Sequence, residues 1–125
     1  MNLALWIVAS VLAASFAGSG LMKLVVPKEK LVSSGQGWAQ DVTPTNIRLI
    51  GVVEVLGAAG LILPAVTHIA PILVPLAAAG LVLVMVGAAV VHARRNEAMN
   101  VGVNAVLLAL AVFVAWGRFG PYPLA

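Results

Sequence analysis

Glu54 is the one carboxylate set inside an apolar run, between Leu49 and Leu63 of a 125-residue chain. In lipid an ionisable side chain costs about 2.5 kcal/mol or more at the bilayer centre, so it needs a partner or a task. Gly51 and Gly57 lie three residues to either side on its helical face, which lets that face approach a neighbouring backbone. Ser15, Ser19 and Lys23 repeat at i, i+4, i+8 and form a polar stripe that ends in a cation. Asn100 and Asn104 share a face at i, i+4, as do Met85 and His92 at i+7. Counted from the ends that the basic residues mark, Ser19, Glu54, Met85 and Asn104 fall at comparable depth. Lys23, Asn100 and His92 fall nearer the mouth. The spacing predicts one polar pocket of Glu54, Lys23, Asn104, Asn100, His92 and Ser19, open toward the cytoplasm.

Such a set supports proton exchange at a carboxylate or imidazole, or capture of the polar head of a lipophile. Plainer readings stand beside these. Lys23 with Glu54 is most simply a buried pair that fixes helix register, since either charge alone would be stranded. The asparagines could bond between helices, at roughly 0.6 to 2 kcal/mol each. Ser15 and Ser19 could satisfy their own helix backbone. His92, beside Arg94 and Arg95, reads equally as an interfacial residue, and the Gly80 and Gly87 spacing reads as packing.

Several chemistries fail on inventory or spacing. There is no cysteine, which removes thiol-disulfide exchange, cysteine-ligated iron-sulfur clusters and covalent haem. His68 and His92 are the two histidines, and along one helix they stand roughly 36 Å apart at about 1.5 Å per residue. They share no haem or metal, and no metal site is predicted. One intramembrane carboxylate makes no acid/base pair, and neither a phosphate-binding glycine loop nor a nucleophile motif is present. The charge of +3 comes from seven Lys and Arg against four Asp and Glu, too few for a nucleic-acid patch.

These residues must be positioned by elements suited to lipid. The chain is 62% hydrophobic and only 9% charged, with a mean hydropathy of +1.11. Soluble domains average roughly 25% charged residues, so a water-facing exterior is excluded, and disorder with it. Four apolar runs are each close to the ~20 residues that cross a bilayer. They predict an all-α, four-transmembrane-helix bundle as a single domain over 1–125, with helices at about 3–26, 44–64, 69–92 and 98–117. Thr43 as N-cap and Pro44 at the first helical position start the second span, and Pro64 is expected to stop it. Pro71 and Pro75 predict a kink early in the third. The first run is too long for a signal-peptide core and lacks a basic leader, so it reads as a retained helix. Trp38 and Trp116 are expected at headgroup level.

Basic residues set the orientation. Lys23, Lys28, Lys30 and Arg48 flank the first connection and Arg94 and Arg95 the third, against Arg118 alone at the other end. The first and third connections are therefore expected in the cytoplasm and both termini outside.

The run Gly51-Val52-Val53-Glu54-Val55-Leu56-Gly57-Ala58-Ala59-Gly60-Leu61-Ile62-Leu63-Pro64, the later His92-Ala93-Arg94-Arg95-Asn96-Glu97, the segment Ser19-Gly20-Leu21-Met22-Lys23-Leu24 and the closing Gly117-Arg118-Phe119 together resemble the DoxX-like family of small bacterial four-helix membrane proteins. The resemblance covers nearly the whole chain and implies that fold in a bacterial cytoplasmic membrane. The family is named for a subunit of a thiosulfate:quinone oxidoreductase, and distant animal relatives are receptor-assembly chaperones. The resemblance thus implies a redox-associated subunit that binds quinone or another lipophile and carries no cofactor of its own. Its expected partners are the lipid bilayer, other membrane or redox subunits, or a second copy in a homo-oligomer, with no nucleic acid. A scaffold without catalysis and a small membrane isomerase, with Glu54 as proton shuttle, are the alternatives.

Overall fold

The computed structural model describes residues 2–124. Helix α1 spans Asn2–Val25, α2 Lys28–Ser33, α3 Pro44–Thr67, α4 Leu73–Arg94 and α5 Ala98–Phe119, with a 3-10 helix at Gly37–Asp41. The four long helices α1, α3, α4 and α5 are each long and apolar enough to cross a membrane. No strand occurs among the described residues, and the architecture is an all-α four-helix membrane bundle. Helix α1 packs on α3, α3 on α4 and α4 on α5, while α5 closes the ring against α1. Large apolar side chains such as Leu3, Ile7, Leu56 and Leu83 point outward, as lipid-facing surfaces require. The interior holds Leu12, Phe16, Leu61, Leu81 and Val114.

The α1–α3 contact is backbone on backbone. A Cβ added at Gly20 would sit 2.7 Å from Gly51 O, and one added at Gly51 would sit 2.8 Å from Gly20 O. Small residues at this crossing replace the hydrophobic drive that lipid cannot supply. Gly57 and Gly60 bring α3 against Leu81 and Ala77 of α4. The two glycines that flank Glu54, Gly51 and Gly57, therefore serve different neighbours.

Four local expectations need correcting. Helix α3 does not stop at Pro64 but runs through it to Thr67, and His68 then caps it in the left-handed region at φ 58°. Pro64 is buried and leaves Gly60 O without its i+4 backbone donor, while the Thr67 hydroxyl donates to Leu63 O at 2.6 Å in the turn that follows. Helix α4 begins at Leu73 rather than near residue 69. The residue before a proline is disfavoured in helix, and Ala70, before Pro71, takes φ 47°. Pro75 then falls in the first turn, where its missing N–H removes no intrahelical bond, so the expected kink has no cause. Gly80 and Gly87 make no packing contact, because a Cβ on either would meet nothing within 4 Å.

The N-terminus of α3 follows the sequence signal. Thr43 Oγ1 accepts from Asn46 N at 3.2 Å and Pro44 occupies the first turn. The first connection is no open loop. Helix α2 and the 3-10 helix fold over one end of the bundle around a second small core of Leu31, Trp38, Ala39 and Ile47. Trp38 accordingly turns inward, while Trp116 is exposed and stacks with Phe113, as an interfacial aromatic would.

Candidate functional site

Beneath that folded connection lies a cavity of about 650 Å³, drawn from all four long helices. Its walls are mostly apolar, with Phe16, Ile50, Val84 and Leu107 among them, and its polar groups gather at the covered end. Ser19, Lys23, Glu54, Met85, His92 and Asn104 all line it. Asn100 does not, and is exposed in the first turn of α5. Helical periodicity gives Asn100 and Asn104 one face, but only depth decides which of them reaches the interior.

Lys23 comes from the last turns of α1 and Glu54 from the middle of α3, and the Gly20–Gly51 crossing brings the two helices close enough for the side chains to meet. Lys23 Nζ lies 2.7 Å from Glu54 Oε1 and donates to Ser19 Oγ at 2.5 Å. Glu54 is only 2% exposed, so this is a buried ion pair that neither partner could leave cheaply. Oε1 is thereby matched by the Lys23 charge. Lys23 also faces the Trp38 ring, with Nζ 5.6 Å from its centroid. Ser15, by contrast, donates to Val11 O at 2.9 Å in its own helix. Asn104 is 8% exposed, and its Nδ2 is shielded from solvent with no acceptor among the described residues.

The end expected to be the mouth carries a cover of folded chain. Gln36, Trp38 and Val42 roof the cavity, with Trp38 Nε1 donating to Gln36 Oε1 at 2.6 Å. The residues that both line the cavity and stand exposed lie instead along the helix gaps. Leu49, Val53, Gly87 and Val91 flank the gap between α3 and α4, and Ser15 and Val103 that between α1 and α5. These exposed lining residues give the cavity a side toward lipid.

The His-x-Arg-Arg-x-Glu segment builds a fastening for this roof. His92 Nδ1 is 2.8 Å from Glu97 Oε1, and Arg95 Nε is 3.4 Å from the same oxygen. Arg95 Nη1 reaches across to Asp41 Oδ2 in the 3-10 helix. Gly37 leaves room for that guanidinium, since a Cβ there would sit 2.9 Å from Arg95 Nη2. A carboxylate facing Nδ1 holds the proton on that nitrogen.

Sequence reasoning missed the roof residue Gln36, set Trp38 at headgroup level rather than over the cavity, and used Arg118 only as a charge and a motif residue. The Arg118 side chain is buried at the far end of the bundle, where Nη1 donates to Asn2 Oδ1 at 2.5 Å and to Tyr122 O at 3.0 Å. Its one available signal was position, because a cation in the last turn of α5 complements the helix dipole and antiparallel packing sets it beside the polar start of α1. No three His, Asp or Glu side chains converge as a metal site among the described residues.

The arrangement can hold the polar head of a lipophile in a covered, charge-balanced recess while its apolar body lies among apolar walls. No curated protein and no solved structure is found to match the chain. The DoxX-like family model matches residues 7–114, a span that takes in the Gly20–Gly51 crossing, the Lys23–Glu54 pair, Asn104 and the His92–Glu97 segment, and the chain belongs to the DoxX-like family.

Proposed function

We propose that this membrane protein binds a quinone-type lipophile within the bilayer plane, its head at Glu54, Lys23 and Asn104, and serves as the lipophile-binding subunit of a membrane redox assembly. The observation that carries the reading is the cavity of about 650 Å³, which holds a largely buried ion pair and an unpaired amide. That size lies in the range of roughly 300 to 1,000 Å³ typical of small-molecule sites. The redox setting is an expectation from the family resemblance, and electron transfer itself falls to a partner. The proposed location is the bacterial cytoplasmic membrane, with the roofed end in the cytoplasm, as the Lys and Arg distribution favours.

Mass spectrometry of lipophiles that copurify in mild detergent tests this. The wild-type protein is expected to retain a quinone or a related lipophile that the Lys23→Met, Glu54→Gln double variant loses. Equal retention by both, or none by either, would overturn it. The second reading, a scaffold without ligand, is favoured by the fact that Lys23 and Glu54 neutralise each other within the chain. It expects the double variant to assemble with its partners unchanged.

A further inference from the structure

The covered end of the cavity carries one polar group that the fold leaves unmatched. Asn104 Nδ2 is shielded without an acceptor, whereas Glu54 Oε1 already faces the Lys23 ammonium at 2.7 Å. An unmatched buried amide is destabilising unless something in the site completes it. The charges nearby are already answered. Lys23 faces Glu54, His92 faces Glu97, and Arg95 lies between Glu97 and Asp41.

From these two observations we infer that the cavity selects a lipophile whose head is uncharged and both donates and accepts hydrogen bonds, such as a hydroxyl beside a carbonyl or ether oxygen. The inference rests on the lipophile-binding reading above and narrows it to a head that carries a hydroxyl, the quinol rather than the acceptor-only quinone form of a quinone-type lipophile. A head oxygen accepts from Asn104 Nδ2, and a head hydroxyl donates to the carbonyl edge of the same amide. Rotation of the Asn104 amide about its broad terminal torsion turns it to the cavity, and a hydroxyl satisfies either edge of that amide. A carboxylate head would draw Lys23 away and leave Glu54, 2% exposed, without its cation. An ammonium head would displace Lys23 from Glu54 and crowd two cations beneath the roof. A phosphate head would bring charge into a recess with no free counter-ion among the described residues.

Three labelled probes with closely matched chains separate these heads: monolauroyl glycerol, laurate and dodecylamine. Each is added to the full-length protein in phospholipid nanodiscs, at a pH where laurate is ionised and dodecylamine protonated. Retention is read against empty discs. Monolauroyl glycerol is expected to bind at least about tenfold more tightly than either charged probe, the factor one good hydrogen bond supplies. Asn104→Leu is expected to remove about that tenfold advantage while leaving thermal stability at or above wild type, since Leu fills the same space without an unpaired amide. Equal or tighter binding of laurate or dodecylamine would overturn the head assignment while leaving the lipophile reading intact. So would full retention of monolauroyl glycerol by Asn104→Leu. Retention of none of the three would bring down the lipophile reading and this inference with it.

Discussion

Replacing Glu54 by Gln keeps the volume of the side chain and removes its charge, so Lys23 Nζ loses the carboxylate 2.7 Å away. Breaking one side of a buried pair typically costs about 3 to 5 kcal/mol, and the double change with Lys23→Met should recover most of it. Thermal unfolding in detergent checks both, and a single variant as stable as wild type would mean that the pair contributes nothing. At this scale the sequence was legible where lipid left no choice. A lone carboxylate and a cation about a turn nearer the helix end had few other partners. It was not legible where depth or tertiary contact decides, which is why Asn100 was grouped with Asn104 and the burial of Arg118 was missed.

The helices make their own predictions. Gly20→Ala would place a methyl carbon 2.7 Å from Gly51 O, a backbone atom that cannot swing aside, so α1 and α3 must part and stability should fall by about 1 to 3 kcal/mol. Gly80→Ala meets nothing within 4 Å and should be neutral or gain up to about 1 kcal/mol from helix propensity. Unfolding of the two variants side by side distinguishes packing glycines from idle ones. Spacing alone could not, since each pattern reads the same along the chain. The four spans and the Thr43-Pro44 start were readable because length, apolarity and capping are local properties. The passage of α3 through Pro64, the late start of α4 and the folding of the first connection depend on what each segment packs against. Arg95→Ala should loosen that connection by removing its tie to Asp41. The expected readout is greater quenching of Trp38 fluorescence by iodide, in a background where Trp6 and Trp116 are replaced by Phe. Unchanged quenching would show that the 3-10 helix holds without the arginine.

For the molecule as a whole, the ring of four spanning helices places the first and third connections at one end, joined by Arg95 and Asp41, whichever way the bundle sits in the membrane. Met1 and Ala125, whose side the charge asymmetry assigned, lie outside the described residues. The absence of cysteine makes orientation simple to measure. Single variants Gln40→Cys and Arg94→Cys should be labelled by a membrane-impermeant maleimide only from the cytoplasmic face, and Ile69→Cys only from the other. Labelling of the first two from outside intact cells would invert the proposed topology without disturbing the fold. The Lys23–Glu54 pair has a further consequence, for biogenesis. Its partners sit on α1 and α3, consecutive spanning segments, so the carboxylate can enter the bilayer already neutralised before α4 and α5 have been synthesised. The roof, whose tie needs Arg95, can be fastened only later. Loss of Lys23 should therefore register at the ribosome-bound stage, as nascent chains whose α3 lingers outside the membrane and remains open to protease.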